Sequence, residues 1–587
     1  MNSLLFYPVI IFLIGVAVLP FLTGRLKKVF MVLVPALAFI QVLKLVPGEF
    51  GHISYLDFDL VLFKVDKLPL VFANVFTLMA LIGTIYSLHV KEDGHHIAAF
   101  LYVAGSLGVT FAGDYLTLFI FWELMAVSSV FLIWYRRRKS SINAGFRYLL
   151  VHTAGGLVLL AGIFLKYQAT KSMAFGPISP EGAGLAEYLI MTGFILNAAV
   201  PPIHAWLPDA YPEATVTGAV FMCAFTTKTA VYVLARAFPG FEILMILGAI
   251  MTLYGVAYAV IENDARRILA YHIVSQVGYM VCGVGIGTAM AVNGACAHAY
   301  AHIIYKALLF MGVGAVLEMT GKSKLNELGG LYKYMPMAMI FTVIGGISIS
   351  GFPLTSGFVS KSMIIAAAGE HHQLIIMLML TLASVGTFLS VGIKLPYFIW
   401  FGKDSGVKAD DPPLNMIVGM SIAAFLCFFI GVYPQMLYDI LPYPVHYHPY
   451  SGYHIAETIQ LMAFTGLGFY LFVKKLQPEP KSNLDLDWFY RKGALLFMWV
   501  ARKPVSFIND VIGEAYQTVG LRFIMLKAAS FFSGFDRWGI DGVVDGMAAT
   551  VIKTGDRTRN LQTGKLQHYV GFAVFILFII IGVVVLV

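Results

Sequence analysis

Long uninterrupted runs of apolar residues recur from one end of the chain to the other. A bilayer core of roughly 30 Å is crossed by a helix of about twenty apolar residues. We count about sixteen such runs, and their boundaries are defined to within a few residues. They are residues 3–22, 29–46, 68–88, 97–113, 115–135, 144–165, 186–208, 216–235, 243–261, 268–287, 289–317, 337–366, 374–401, 415–433, 455–473 and 570–587. The pattern predicts an all-α, polytopic membrane protein with about sixteen transmembrane helices.

The composition agrees with this pattern. Hydrophobic residues make up 59% of the 587 positions and charged residues only 12%. A water-soluble surface of ordinary polarity cannot be built from such a chain, so lipid must solvate it. A net charge of +8 would suggest nucleic acid as a partner of a soluble protein, but here the informative quantity is where Lys and Arg lie. We expect a lipid bilayer and no nucleic acid.

The basic residues predict the orientation of the chain. Loops that follow odd-numbered helices contain fifteen Lys and Arg residues, and loops that follow even-numbered helices contain five. Positive loops stay in the cytoplasm, so the N-terminus is predicted outside a prokaryotic cytoplasmic membrane. The first run has no basic segment before it and no convincing small-residue cleavage site, so we expect a retained helix rather than a signal peptide.

Two predicted helices contain helix breakers in their interior. Pro201-Pro202 interrupts the seventh, and Gly351-Phe352-Pro353 with Gly357 interrupts the twelfth, five helices later. Interrupted helices at corresponding places in two halves indicate inverted repeats, with a transport site near the membrane midplane at the breaks. We therefore predict two inverted five-helix repeats, helices 4–8 and 9–13, with broken helices 7 and 12. The alternative is that the prolines only kink their helices.

The same pattern divides the chain into six segments. They are transmembrane helices 1–3 (residues 1–96), the first repeat (97–240), the second repeat (241–402), helices 14–15 (403–474), an amphipathic or lateral segment on the cytoplasmic side (475–569) and a C-terminal transmembrane helix (570–587). The mixture of aromatic and basic residues in 475–569 is typical of helices that lie in the interface or along a partner. A loosely ordered tether is the competing interpretation.

Several ionisable residues fall inside the predicted helices. An unpaired charge at mid-bilayer costs at least several kcal/mol, so each one is a candidate functional residue. Glu123 lies in the middle of the fifth helix with no basic residue within one turn. The lysines are Lys228 in the eighth helix, Lys306 in the eleventh, Lys361 beyond the break of the twelfth and Lys394 in the thirteenth. Lys394 ranks lowest because it lies nearer a cytoplasmic end, where its side chain can reach water.

Histidines continue this series. His298, His302 and Lys306 are spaced by four residues, which places all three on one face of a helix, as a proton wire with intervening water would require. Hydrogen bonding that locks neighbouring helices together is the alternative for each histidine. The further polar residues His152, Asn197 and His272 could extend the wire or serve in helix packing.

No pattern indicates a cofactor, a metal or an independent enzyme. The four cysteines lie in predicted helices and form no Cys-x-x-Cys pair, which argues against disulfides, zinc and iron–sulfur clusters. We find no flavin, quinone or nucleotide motif and no nucleophile with a base and an orienting group. The chain is therefore expected to require partner subunits.

Five motifs give the sequence a resemblance to a known family. They are DYLTLFIFWELM (114–125), PIHAWLPDAYPEA (202–214), RILAYHIVSQVGY (267–279), HIIYKALLF (302–310) and GGLYKYMP (329–336) leading to GFVSK (357–361). Across residues 67–400 the chain resembles the antiporter-like subunits shared by complex I, membrane-bound hydrogenases and Mrp cation/proton antiporters. The resemblance implies about fourteen core helices, a proton channel in each repeat and a central hydrophilic axis. Its charged residues would be Glu123, Lys228, Lys306 and Lys361.

The sequence departs from the family pattern at Asn197, where a lysine is common in the seventh helix. Our hypothesis is that Lys228 replaces that lysine as the partner of Glu123, because an amide cannot carry a positive charge. His272 stands where the family often has serine, and its role is open. The tail motifs GIDGVVDG (539–546) and LQTGKLQHY (561–569) resemble the distal complex I subunit with a lateral helix, whereas the segment from Lys394 resembles Mrp D-type members.

The sequence favours a proton-translocating subunit of a complex I-like or hydrogenase-like respiratory assembly or of an Mrp-type antiporter, with no cofactor of its own. It would work with other membrane subunits and be driven by redox chemistry or a cation gradient elsewhere. One alternative is sodium/proton exchange. Another is a structural or coupling subunit, in which Asn197 marks a lost channel.

Overall fold

The structure is a computed structural model that describes residues 7–55, 58–480, 484–530, 541–559 and 563–586. It contains two units, Met1–Leu484 and Asp485–Val587. The first residues of the first predicted helix, and parts of both tail motifs (539–540 and 561–562), lie outside the described residues.

The first third of the larger unit contains six long helices and one hairpin. These elements are α1 (Pro8–Val18), α2 (Gly24–Val42), β1 (Gly48–Tyr55), β2 (Phe58–Val65), α3 (Lys67–Tyr86), α4 (Asp93–Phe111), α5 (Tyr115–Trp134) and α6 (Lys139–Thr170). The remainder of the unit is helical. Its elements are α7 (Leu185–Asn197), α8 (Trp206–Ala210), α9 (Val216–Ala224), α10 (Thr226–Ala237), α11 (Glu242–Ile261), α12 (Ala265–Ile286), α13 (Ala289–Thr320), α14 (Pro336–Ser350), α15 (Ser356–Glu370), α16 (Leu374–Thr387), α17 (Leu414–Val432), α18 (Gln435–Tyr438) and α19 (Gly452–Phe472).

The prediction of an all-α polytopic membrane protein is confirmed. Within the described residues, 11 helices are long and apolar enough to cross a membrane, and three shorter apolar helices accompany them, Pro8–Phe21, Leu185–Asn197 and Pro336–Ser350. Each of the predicted apolar runs coincides with one helix or with two consecutive helices. The shorter helices are the ones that breaks or prolines cut.

Both predicted breaks are present. The seventh span ends at Asn197, turns through Ala199 at φ 58°, and resumes as α8. The twelfth ends at Ser350, turns through Gly351 at φ 79°, and resumes as α15. Glycine adopts this left-handed conformation without strain, which is why the second break falls there.

The structure adds two irregularities that the sequence did not indicate. The eighth span is interrupted at Phe225, between α9 and α10, although neither Gly nor Pro occurs there. The thirteenth span continues beyond α16 as π-helical turns at Phe388–Lys394 and Tyr397–Phe401. Single π-turns inside helices often occur at functional sites.

The two halves match in detail at a constant separation of 150 residues. Asp114 caps α5, Asp264 caps α12, and each forms an isolated antiparallel bridge, with Ala174 and Lys324 respectively. The helices α6 and α13 both contain 32 residues and begin and end at positions 150 apart. Both are followed by a residue in the left-handed conformation. This correspondence supports the predicted pair of repeats.

Small residues allow α11 and α12 to pack with their backbones in contact. A Cβ added at Gly255 would lie 2.5 Å from the Ser275 amide nitrogen, and one added at Gly248 would lie 2.3 Å from that of Cys282. Close backbone approach through small residues is characteristic of membrane helix packing. As a result α12 is buried over nearly its whole length, which places its polar side chains inside the bundle.

The β-hairpin was not predicted. Its strands pair antiparallel, with Val61 opposite His52, and it attaches to the cap of α5 because the Val61 amide donates to Asp114 Oδ2 at 3.0 Å. The smaller unit contains α20 (Asp487–Val500), π-turns at Ala501–Val505, α21 (Ser506–Ala515), π-turns at Tyr516–Met525, α22 (Asp541–Arg559) and α23 (Leu566–Leu586). Within this unit the large apolar side chains of α20, such as Phe497 and Trp499, are exposed.

Candidate functional site

The lysines singled out from the sequence are buried inside the larger unit. Lys228 and Lys306 have 0% of their surface exposed, and Lys361 and Lys394 have 3%. A charged ammonium in such surroundings loses several kcal/mol of hydration unless polar atoms replace the water. The partners of each lysine therefore indicate what it does.

The three residues of the predicted stripe lie on one helix, α13, at intervals of about one turn. His298, His302 and Lys306 all project from α13, and the ring centroids of the two histidines are 6.1 Å apart. Among the described residues, Lys306 Nζ and both ring nitrogens of His302 have no hydrogen-bond partner. Buried polar atoms are normally bonded to protein or to ordered water, so we expect ordered water to bond these nitrogen atoms.

His298 connects α13 with two neighbouring helices. Its Nδ1 lies 3.2 Å from Ser360 Oγ on α15, and its Nε2 lies 3.2 Å from Gln276 Oε1 on α12. The hydrogen-bond network decides which ring nitrogen of His298 carries the proton. Since Ser360 directly precedes Lys361, the stripe leads to the broken twelfth span.

Lys361 stabilises the break of the twelfth span. Its Nζ donates to the Ile349 carbonyl at 2.8 Å and lies 5.5 Å from the centroid of the Tyr279 ring. Ile349 is in the last turn of α14, where carbonyls lack partners within the helix. Lys361 also lines a cavity of about 380 Å³ together with Ser362, His454 and Glu457.

Lys228 makes a similar contact at the unpredicted break of the eighth span. Its Nζ donates to the Cys223 carbonyl at 2.6 Å and to Thr227 Oγ1 at 3.1 Å. Cys223 is in the last turn of α9, so the ammonium again bonds a helix end. Lys228 and Lys306 lie close enough for their charges to interact, with Cys223 near both.

Glu123 is half-buried on α5, and its Oε1 has no hydrogen-bond partner among the described residues. Lys228 does not pair with it, because the lysine is held by the carbonyl and hydroxyl across its own break. The hypothesis of a Glu123–Lys228 pair is therefore wrong for this structure. Asn197, at the last position of α7, is buried with no partner for either amide atom within the described part of the chain.

Tyrosines lie beside both His152 and Lys228. His152 Nδ1 donates to the Tyr148 carbonyl at 2.9 Å, and the imidazole stacks on the Tyr148 ring with centroids 4.0 Å apart. The Tyr148 hydroxyl bonds Ser129 Oγ at 2.8 Å, and the Tyr102 hydroxyl bonds Thr226 Oγ1 at 2.5 Å. Thr226 opens α10 directly beside Thr227 and Lys228. Hydroxyl groups thus lie beside His152 on one side and beside Lys228 on the other.

The remaining candidates lie around the irregular thirteenth span. His272 Nε2 lies 2.6 Å from Ser390 Oγ, and Gln276 Nε2 donates to Thr387 Oγ1 at 3.3 Å. Lys394 Nζ donates to the carbonyls of Val260 and Glu262 at 2.6 and 2.9 Å, at the C-terminal end of α11. A lysine that satisfies the last carbonyls of a helix is a capping group, consistent with its low rank in the sequence analysis.

A second cavity, of about 340 Å³, lies at the beginning of α9. It is lined by His89, Glu92, His95, Thr215 and Glu318, among others. His95 Nε2 bonds Thr215 Oγ1 at 2.9 Å, whereas its Nδ1 has no partner among the described residues. Burial lowers the pKa of His89, in the loop after α3, and the carboxylate of Glu318 only partly opposes this effect. The lining loops follow odd-numbered spans, which carry the basic residues.

Comparison with known proteins shows what the chain is similar to. Residues 112–389, which include both predicted breaks and Glu123, match the family model described as NADH:quinone oxidoreductase/Mrp antiporter, transmembrane. The Na(+)/H(+) antiporter subunit A1 of Staphylococcus haemolyticus is 26% identical over 611 residues, covering 90% of this chain and 76% of that protein. The subunit A1 of Staphylococcus aureus strain bovine RF122 / ET3-1 is 27% identical over 612 residues with the same coverage. Residues 112–389 are therefore similar to the transmembrane domain of the NADH:quinone oxidoreductase/Mrp antiporter family.

Two solved assemblies contain chains with the same fold as this antiporter-like subunit. A chain of the Mrp complex from Dietzia sp. DQ12-45-1b superposes with a TM-score of 0.63 at 21% identity, covering 79% of this chain and 95% of that one. A chain of the membrane-bound sulfane sulfur reductase, an archaeal respiratory membrane complex, gives 0.69 at 22% identity, with 98% and 99% covered. The predicted resemblance is confirmed, and the protein is an antiporter-like membrane subunit.

The site of this antiporter-like subunit includes residues that the sequence analysis missed. Tyr102, Tyr148 and Thr226 are uncharged residues in apolar runs, so a search for buried charges passed over them. The spacing of 150 residues between the repeats was the signal that could have directed attention to this region, because it aligns the part of α6 around His152 with the stripe on α13. Within the described residues, no group of three His, Cys, Asp or Glu side chains is arranged to hold a metal ion.

Proposed function

We propose that this subunit conducts protons through the membrane as part of a multisubunit complex. The observation that carries the proposal is the series of buried basic side chains formed by Lys228, Lys306, His302, His298 and Lys361. Its members come from three different spans, and two of these spans are broken beside the lysine. A purely structural series would not need to bring basic groups with unpartnered atoms together in the membrane.

The geometry supports a stepwise transfer. A proton on Lys228 is near Lys306, whose Nζ has no protein partner among the described residues. His302 and His298 follow at one-turn intervals on α13, and Ser360 bridges His298 to the helix of Lys361. Imidazole takes up a proton on one nitrogen and releases one from the other, and water supplies the intervening links. Each proton moves from a protonated group to the neutral base that follows it in the series.

The two cavities provide candidate openings at opposite ends of this series. The cavity of His95 and Glu318 lies among loops that the distribution of Lys and Arg places in the cytoplasm. The cavity of Lys361 extends to Tyr447 and His448, in the loop after the fourteenth span, which the same distribution places outside. In this orientation, with the N-terminus outside, protons enter near the start of α9 and leave beside Lys361.

The lateral residues are proposed as supporting groups. His152, Asn197 and His272 have buried polar atoms without protein partners in the described chain, so they can hold water beside Glu123 and Gln276. Lys394 is proposed to fix the end of α11 next to this path. Glu123 would act on the basic residues of the series through its electric field and not through a direct ion pair.

The named relatives favour a particular kind of complex. Both are subunits of Na(+)/H(+) antiporters, which supports exchange of protons against sodium as the second candidate function. The fold is equally compatible with a redox-driven assembly. We propose other membrane subunits of the same complex as partners, in a bacterial or archaeal cytoplasmic membrane. A coupling subunit without its own channel remains the third interpretation.

The test is proton flux in vesicles that contain the purified assembled complex. Lys306→Ala should reduce the flux at least about tenfold, a change of ~1.4 kcal/mol in the barrier. Lys408→Ala, in a loop, is the control. Flux that depends on sodium identifies exchange, whereas normal flux in the Lys306 variant of a fully assembled complex would exclude the proposed path.

A further inference from the structure

The separation of 150 residues between the repeats aligns two functional helices residue by residue. It pairs His152 of α6 with His302 of α13, so both repeats carry a histidine at the same place in a 32-residue helix. One turn further, it pairs Gly156 with Lys306. The first repeat thus has no side chain where the second has its most isolated lysine.

The space at Gly156 is filled by a side chain from another helix. A Cβ added to Gly156 would lie 2.0 Å from Glu123 Oε1 and 3.0 Å from the carboxyl carbon of Glu123, and the third nearest atom is the other carboxyl oxygen at 3.6 Å. All three atoms belong to the carboxyl group. Real Cβ atoms do not approach other heavy atoms this closely, so any side chain at 156 would move the carboxylate.

Close helix packing does not account for this glycine. The adjacent Gly155 and the later Gly162 do face α7, with added Cβ atoms 3.0 Å from a Leu196 methyl and 2.8 Å from the Ala186 carbonyl oxygen respectively. Gly156 faces only the Glu123 carboxyl group. A helix-interior glycine costs about 1 kcal/mol relative to alanine, so the site keeps it for a different reason.

We infer that Gly156 is a positioning residue that seats the Glu123 carboxylate in the first repeat at the place taken by the Lys306 side chain in the second. An acidic group and a basic group then occupy equivalent positions in the two halves. The inference rests on the proposed proton path for its functional meaning, whereas the seating of the carboxyl group is independent of that path.

The experiment compares Gly156→Ala with Gly155→Ala in the assembled complex. We expect Gly156→Ala to lower proton flux about tenfold, to change its pH profile and to shift the infrared band of the Glu123 carboxyl group, which Glu123→Gln identifies by removing it. Gly155→Ala, which meets only the end of a leucine, should leave all three nearly unchanged. An unshifted band in Gly156→Ala, or equal effects of both alanines, overturns the inference.

Compensating variants keep the test decisive. Asp is one methylene shorter than Glu, so Glu123→Asp combined with Gly156→Ala should recover flux relative to Gly156→Ala alone. If Gly156→Ala fails to assemble, Glu123→Ala with Gly156→Ala should restore assembly, since the three atoms nearest to the added Cβ all belong to the Glu123 carboxyl group. Failure of that restoration contradicts the inference. A shifted band with undiminished flux would support the seating but count against Glu123 in the proton path.

Discussion

The ammonium of Lys228 donates a hydrogen bond of 2.6 Å to the carbonyl of Cys223, across the break that separates α9 from α10. Lys361 makes the corresponding bond of 2.8 Å to Ile349 across the break of the twelfth span. A lysine held by an unpaired helix carbonyl can release a proton without leaving a charged partner behind. In the proposed path, the two breaks therefore serve as seats for exchangeable protons.

Removing the first of these amines tests its place in the path. Lys228→Ala should lower proton flux in vesicles at least about tenfold, because the series loses its first base and the Cys223 carbonyl loses its partner. Lys408→Ala, in the exposed loop before α17, is the matched lysine control. Unchanged flux in an assembled Lys228→Ala complex would remove this residue from the path.

The middle of the series depends on imidazole chemistry. His302→Gln keeps a polar side chain but cannot take up and release a proton, so we expect at least about a tenfold loss of flux with normal assembly. His52→Gln, in the hairpin, provides the control for the substitution itself. Equal flux in both variants would show that His302 serves helix packing.

The sequence was informative wherever the type or the spacing of residues determines the local structure. Apolar length predicted the spans, the residues around Pro201 and Gly351 predicted two breaks, and spacing by four predicted the stripe on α13. The break at Phe225 has no such marker, since tertiary packing produces it. The hypothesis that Lys228 pairs with Glu123 failed because Lys228 bonds a backbone carbonyl at a helix end, and the sequence does not show where such a carbonyl is exposed.

The hydroxyl groups beside Lys228 can be tested by removing single oxygen atoms. Tyr102→Phe deletes the hydroxyl that bonds Thr226 and should slow proton transfer several-fold, because a polar group beside Lys228 is lost. Tyr300→Phe is a matched control, because that buried hydroxyl instead bonds Asn74 Oδ1 at 2.8 Å. We expect the loss of flux only in the Tyr102 variant, and a similar loss in both would point to general loosening of the bundle.

Lys394 should behave differently from the other lysines. Lys394→Met leaves the carbonyls of Val260 and Glu262 without their partner, which should cost about 1–3 kcal/mol of stability. Flux per assembled complex should remain close to normal if the residue is a helix cap. Thermal unfolding and flux are measured on the same preparation, and a stable variant with abolished flux would instead place Lys394 on the path.

The close contact of α11 and α12 sets where His272 and Gln276 lie, and it is sensitive to a single methyl group. Gly255→Ala would bring a Cβ within 2.5 Å of the Ser275 amide nitrogen, so the helices must separate. Overpacking of this kind typically costs about 1–3 kcal/mol, and we expect a lower unfolding temperature together with reduced flux. Gly468→Ala in α19, where no atom lies within 4 Å of the added Cβ, should be neutral or slightly stabilising. Because Ser275 adjoins Gln276, the displacement would also lengthen the 3.2 Å contact between Gln276 and His298, which links packing directly to conduction.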